Sequence, residues 1–390
     1  MTMPQKLFDS RLEDLVTTIN HKEPKRVPIC MDAISWPTAY SGGKTDELVD
    51  EPERMASEYV RVFKDIYVDC ILDPGVTYPI RSFQALEGKS FLISSDGVTI
   101  QHMMQDSIMK ENEYDQLISD PDGFALNVLA KRKYDKLYAS KEEAYTALKK
   151  AAVAFKKHIR LNQLIVDILR EDFGIIRLWG DYFVPHPFDF IFDSLRGMKG
   201  ALIDVRRQPE KLMEAIEVLC EKSMAEDKTN FDAIKGENWP FVRSGFHVVP
   251  YIGLKDFKKF WWPFFVKMYQ PYIDAGVKIF LKSEGKSGYC FDMYRDLPKS
   301  SMIIQLEEDD PFDIHRRLGD VATIAAGITT NLLKYGTKQE CIDYVKRCFD
   351  TFAPGGGFIF LQDRPLLCAN DVKVDNLFAV YAFAKEYAKY

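Results

Sequence analysis

Short apolar runs that end in polar residues alternate along the chain with stretches of helical periodicity. Eight of these runs have the length and composition of buried strands, at residues 26–31, 69–74, 175–180, 241–246, 278–283, 302–307, 322–328 and 357–362. Helical periodicity is clearest at residues 209–222 and 338–349, and a last helix begins near Asn376. Strands separated by helices predict an α/β fold, a (β/α)8 TIM barrel of parallel strands. A doubly wound sheet would give a similar alternation and stays an alternative.

Two stretches exceed what such a barrel requires, and we interpret both as insertions in a single domain spanning residues 1–390. Residues 82–104 contain Asp96-Gly97 between two β-rich runs, which predicts a β-hairpin. Residues 141–171 form a long amphipathic stretch. We expect this second insertion to be a pair of helices that packs as a cap over the barrel mouth.

The composition excludes several classes of protein. Of the 390 residues, 46% are hydrophobic and 28% charged, which is ordinary for a globular protein with a large core. The net charge of −6 gives no electrostatic basis for binding nucleic acid or an anionic membrane. No apolar run approaches the about 20 residues that a transmembrane helix needs. Seven cysteines without a CxxC pair, and an N-terminus unlike a signal peptide, favour a cytoplasmic protein.

The ends of the predicted strands carry most of the candidate chemistry. In TIM barrels the active site lies at the carboxyl ends of the strands. The residues found there are Asp32, Asp73, His247, Lys282, Glu284, Glu307, Glu308 and Arg364. Glu284 is the strongest single candidate because it lies in a glycine-bounded turn. Acids at strand ends also serve as solvated helix N-caps, so a structural role is the alternative for each of them.

Several segments resemble the uroporphyrinogen decarboxylase superfamily, in its corrinoid-dependent methyltransferase branch. They are PKRVPI at 24–29, DFIFDSLRGMKGALI at 189–203 followed by RQPE at 207–210, DFKKFWWPFF at 256–265, AGITTNLLKYGT at 326–337 and GGGFIF at 355–360. The resemblance covers roughly residues 22–388 and implies a (β/α)8 barrel. Residues 31–43 hold no arginine where the decarboxylases carry an arginine-rich stretch, which disfavours decarboxylation. Lys282 and Glu284 replace the zinc-binding His-x-Cys of the thiol-methylating members.

What remains is the methyltransferase I role of an O-demethylase. The resemblance implies transfer of a methyl group from a small methoxylated aromatic compound to the cobalamin of a separate corrinoid protein. Glu284, His247 and Glu308 are candidate catalytic residues, since protonating the ether oxygen would assist a poor phenolate leaving group. A zinc ion could polarise that oxygen instead, with Glu284, Glu308 and Cys368 as candidate ligands.

An aromatic substrate also needs an aromatic slot. Candidate substrate-binding residues around the predicted mouth are Trp36, Tyr40, Trp179, Tyr182, Lys282, Tyr289 and Arg364, and Tyr78 is a further aromatic residue there. For the aromatic members, packing at the rim is an equal alternative. The alternative functions are methylcobalamin-dependent transfer to a thiol or other acceptor, uroporphyrinogen decarboxylation, and non-catalytic binding of a small molecule. The resemblance leaves open whether zinc is bound and whether the chain forms a homodimer.

Overall fold

A computed structural model describes residues 2–102, 107–237 and 239–390, apart from the side chains of residues 180 and 181. Its strands are β1 (Cys30–Met31), β2 (Cys70–Ile71), β3 (Phe91–Ile93), β4 (Ile100–His102), β5 (Ile176–Arg177), β6 (Trp179–Phe183), β7 (Phe241–Phe246), β8 (Ile279–Ser283), β9 (Met302–Leu306), β10 (Thr323–Ile328) and β11 (Phe358–Gln362). All eight predicted strands are present, and the third is divided into β5 and β6 on either side of Leu178.

The strands form two parallel sheets and one hairpin. The larger sheet has the order β11-β10-β9-β8-β7-β6, and the smaller one has the order β1-β2-β5. Parallel bridges between Ile29 and Phe360 and between Ala33 and Leu366 join β11 to the chain around β1. At the other side, β5 runs directly into β6. The predicted α/β class with parallel strands is therefore confirmed.

The helices fill the crossovers between the strands. They are α1 (Met3–Ile19), α2 (Trp36–Tyr40), α3 (Thr45–Leu48), α4 (Pro52–Val60), α5 (Ile80–Ala85), α6 (Tyr114–Ser119), α7 (Pro121–Phe124), α8 (Ala130–Lys133), α9 (Lys141–Phe173), α10 (Pro187–Phe190), α11 (Gly197–Arg207), α12 (Pro209–Glu226), α13 (Lys228–Ile234), α14 (Leu254–Asp256), α15 (Trp262–Asp274), α16 (Pro311–Leu318), α17 (Thr330–Tyr335), α18 (Lys338–Phe352) and α19 (Val374–Tyr387). Turns of π-helix, Ala125–Leu129, Ile191–Leu195 and Phe257–Trp261, continue α7, α10 and α14. The predicted helices are α12, α18 and α19. Among the described residues, no helix has both the length and the apolar character needed to cross a membrane.

The amino ends of the strands are closed by α1. Arg11 of α1 donates to the carboxylate of Asp69, just before β2, at 3.0 Å, and the carbonyl of Thr18 accepts from Gly357, just before β11, at 2.9 Å. The apolar side of α1 packs on buried residues contributed by the strands, including Cys30 and Cys70. Because one end of the strands is covered in this way, their carboxyl ends are left to form an open site.

The β-hairpin insertion is confirmed, but the predicted helix pair is wrong. Strands β3 and β4 pair in antiparallel, although positions 103 and 104 of the predicted insertion lie outside the described residues. Residues 141–173 form one helix of 33 residues, α9. It begins at a capping box between Ser140 and Glu143, ends at Gly174 in the left-handed conformation (φ 63°), and holds no glycine or proline that would break it.

Helix α9 is also not a cap over the site. It packs against α4 and α5 and leads through Gly174 into β5, which is the place of a crossover helix. None of its residues lines the cavity at the carboxyl ends of the strands.

Candidate functional site

A cavity of about 990 Å³ lies at the carboxyl ends of the parallel strands. Its wall includes the residues that end or follow successive strands: Asp32, Asp73, His247, Lys282, Glu284, Glu307 and Glu308. The parallel arrangement brings these side chains together from positions up to 276 residues apart, 308 − 32. A cavity of this size can hold a small organic substrate.

The centre of the site is a chain of three polar side chains. The imidazole of His247 contacts Asp193 through Nδ1 (2.6 Å to Oδ2) and Glu284 through Nε2 (3.4 Å to Oε2). Asp193 lies in the π-helical turn after α10, His247 follows β7 and Glu284 follows β8. All three line the cavity, and the His247 side chain is 44% exposed.

The backbone of His247 is fixed by a buried carboxylate. Asp189 of α10 accepts hydrogen bonds from the amides of His247 (2.9 Å) and Val248 (2.8 Å) and from the indole of Trp261 (3.0 Å). Asp189 and Asp193 are four residues apart and face the same side of one helical segment, so this segment holds both the backbone and the ring of His247. Burial raises the pKa of Asp189 to about 6.

The electrostatics favour a protonated imidazole. Burial works against the charge on His247, but the hydrogen bonds to Asp193 and Glu284 outweigh it and raise its pKa to about 11. For Glu284, burial would raise the pKa, and contact with His247 instead holds it below its usual range. At neutral pH the site therefore contains an imidazolium between two carboxylates.

Two cations, Lys282 and Arg243, also line the cavity. Lys282 contacts Asp32 (Nζ to Oδ2, 3.2 Å), and the pKa of Lys282 is raised because this carboxylate outweighs the effect of burial. The guanidinium of Arg243 lies 4.9 Å from the ring centroid of Trp179 and 4.5 Å from that of Phe183. It also contacts Asp73 at 3.5 Å. The site thus combines charged groups of both signs with aromatic faces.

Glu308 and Arg364 are paired with each other at the rim. Arg364 donates to Glu308 at 2.5 Å and to Glu307 at 2.7 Å, and Glu307 also accepts from the amide of Gly285. Glu308 lines the cavity, but its charge is directed toward Arg364. We therefore assign this pair to the structure of the rim.

Two of the predicted aromatic residues, Trp179 and Tyr78, line the cavity. Trp36 is instead fully buried and stacks on Tyr40, with ring centroids 5.3 Å apart. Tyr182 packs on the core, and the Tyr289 hydroxyl donates to the carbonyl of Val249 at 2.8 Å. The rest of the aromatic wall comes from residues that the sequence analysis did not single out: Phe91, Phe183, Phe190, Phe192 and Tyr251.

The donor set does not fit the predicted zinc ion. Glu284 is engaged with His247, Glu308 with Arg364, and Cys368 is not among the residues that line the cavity. In the part of the chain that the structure describes, no three side chains of His, Cys, Asp or Glu are grouped to hold a metal. The structure thus does not assemble a site from Glu284, Glu308 and Cys368.

Sequence reasoning missed Asp193, Asp189 and Arg243. The two aspartates lie within the segment that carried the family resemblance, and their spacing of four residues in a helix was the available signal. Arg243 is the one charged residue of strand β7, which is mostly buried, and this was a signal for a special environment.

Comparison with protein families and with curated proteins identifies no relative of this chain. The sequence matches no protein-family model, and no curated protein is detectably similar to it.

Proposed function

We propose that this protein is a corrinoid-dependent methyltransferase that removes the methyl group from a small methoxylated aromatic compound. In this proposal the two parallel sheets close into a (β/α)8 barrel of the uroporphyrinogen decarboxylase superfamily, and the cavity at its mouth binds the aromatic ether. The observation that carries the proposal is the imidazole of His247, held between the carboxylates of Asp193 and Glu284 and facing a cavity with aromatic walls.

The acidity of His247 suits an aryl ether. When the methyl–oxygen bond breaks, its electron pair stays on the oxygen, which needs a proton. The pKa of His247 is about 11, and that of a phenol such as the tyrosine side chain is about 10. Because these values are close, a proton can pass from imidazolium to phenolate at little cost, and general acid catalysis of this kind contributes about 10²–10⁴-fold.

The geometry indicates which nitrogen donates. Nδ1 of His247 is held at 2.6 Å by Asp193, whereas Nε2 lies at a longer 3.4 Å from Glu284. The Nε2 side is therefore the one that a substrate oxygen can approach, with Asp193 orienting the ring. Glu284 borders the same position, where its carboxylate favours the protonated ring, and the part-exposed ring of His247 can take up a new proton from solvent after the product leaves.

The methyl acceptor comes from outside the chain. The corrinoid of a separate protein supplies the nucleophile that attacks the methyl group. The residues of this chain bind and orient the ether, with the aromatic wall against its ring. That partner must approach over the open mouth of the cavity, because its metal has to reach the methyl carbon.

The test is an anaerobic assay. We would mix the protein with cob(I)alamin and a panel of methoxyphenols and follow the absorption spectrum of methylcobalamin. We expect it to form with methoxyphenols and not with the matching phenols. Loss of methyl from methylcobalamin only when thiols are added would instead favour the alternative transferase. If neither reaction proceeds even with a corrinoid protein present, the proposal is wrong.

A further inference from the structure

Helix α9 carries a second apolar face that no described part of the chain covers. Its inner face packs against α4 and α5 through buried residues such as Ala151 and Ile165. Its outer face exposes Tyr145 (69%), Leu148 (51%), Phe155 (47%) and Ile159 (53%). Large apolar side chains grouped on one exposed face usually mark a contact surface.

The spacing of these residues is that of a coiled-coil seam. Tyr145, Leu148, Ala152, Phe155 and Ile159 follow one another at intervals of three, four, three and four residues. A repeat of this kind lets two helices interlock their side chains along a common line. We call this set of five residues the α9 seam.

We propose that the α9 seam joins two copies of this chain, whose α9 helices pair in antiparallel about a twofold axis beside Lys150. In this register Tyr145 of each copy faces Phe155 of the other, and Leu148 faces Ala152. Each surface is thus complementary to itself, as the symmetry of a dimer requires.

The charges beside the seam support this register. Glu142, Lys149 and Lys156 occupy equivalent positions along one flank of the seam, seven residues apart. Antiparallel pairing places Glu142 of each copy beside Lys156 of the other, which gives two opposite-charge pairs. Lys149 meets its own copy near the axis, where its exposed, flexible side chain can turn toward solvent.

A parallel pair would lack these contacts. In that orientation the flank of Glu142 and Lys156 would face the other flank, which contains Ala144, Ala151 and His158. Those residues include no lysine or carboxylate that could pair with Glu142 or Lys156. Antiparallel pairing of two identical helices is therefore the arrangement that the seam fits.

The first experiment measures the mass of the full chain by light scattering after size exclusion, over a range of concentrations. We expect twice the chain mass of 45.0 kDa. The double substitution Leu148→Glu, Phe155→Glu should give the monomer mass, and Leu254→Glu, at an exposed leucine of α14, should leave the dimer unchanged. A monomeric wild-type chain, or a dimer that survives the double substitution, would overturn the proposal.

The second experiment tests the register. Glu142→Lys should weaken the dimer, and adding Lys156→Glu should restore it. Lys149→Cys should form a disulfide between copies on mild oxidation, while Val153→Cys, which lies off the seam, should not. Failure of either the charge rescue or the Lys149→Cys cross-link would show that the antiparallel register is wrong. The inference does not rest on the proposed function, because α9 does not line the cavity.

Discussion

Glu284 is the residue whose substitution most directly tests the chemistry. Its side chain is 41% exposed and contacts His247, so Glu284→Gln keeps the shape of the site while removing a carboxylate. We expect the rate of demethylation to fall by about 10²–10⁴-fold, because His247 loses a carboxylate that favours its protonated form beside the ether oxygen. The thermal unfolding midpoint should be almost unchanged. Glu214→Gln, on the exposed surface of α12, is the matched control, and full activity of Glu284→Gln would remove this residue from the mechanism.

His247 makes the stability of the protein depend on pH in a defined direction. Its pKa is about 11 in the folded chain and about 6.5 in an unfolded one, so the folded state binds the proton more tightly. The stabilisation is complete below about pH 6.5 and is lost as the pH rises toward the folded pKa. The difference in unfolding free energy between the wild type and His247→Gln should therefore shrink as the pH rises.

The protonation state of the His247 ring can also be measured directly. Nitrogen NMR should show both ring nitrogens of His247 protonated at pH 8. Asp193→Asn should bring the pKa of His247 back toward its ordinary value, since it removes the shorter of the two contacts. A neutral imidazole at pH 8 in the wild type would contradict the charge assignment.

At the scale of elements, the junction between α9 and β5 depends on Gly174. Its φ is 63°, and a Cβ placed there would lie 2.5 Å from the carbonyl oxygen of Pro4. Gly42 also has a positive φ, 83°, but a Cβ there would meet nothing within 4 Å. We expect Gly42→Ala to cost about 1 kcal/mol from backbone strain alone, and Gly174→Ala to cost a further ~1–3 kcal/mol from overpacking. Chemical denaturation measures the unfolding free energy of both variants. Equal losses would show that α1 moves to make room for the new Cβ at position 174.

The periodicity of apolar residues was sufficient to predict the strands, but not to predict that α9 is one helix. Strand positions followed from apolar runs, since buried parallel strands are apolar on both faces. The sequence predicted a pair of helices where the structure has the single helix α9. A helix with apolar residues on two faces has the same sequence pattern as two helices that pack against each other. The absence of glycine and proline between Ser140 and Gly174 was the signal for a continuous helix.

At the scale of the whole molecule, closure of the strands makes a prediction about cooperativity. The amide of Phe360 donates to the carbonyl of Pro28 at 3.0 Å, and that of Leu178 donates to Ile71 at 2.8 Å. If the sheets form one closed barrel, these amides should exchange hydrogen as slowly as those within β8 and β9, through global unfolding. Hydrogen exchange with mass spectrometry tests this. If the amides of residues 26–33 exchange fast while those of β8 and β9 stay protected, the smaller sheet opens independently of the larger one.

The sequence by itself determined the α/β class, the positions of the strands along the chain and the residues at their carboxyl ends, because these depend on local periodicity and on a general property of parallel strands. It did not determine which of those residues meet. The contact of His247 with both Asp193 and Glu284 depends on the rotation of the helical segment after β6, which packing sets over long distances. Trp36 shows the same limit: exposure at a mouth and burial in a core look alike in sequence, and only the tertiary structure distinguishes them.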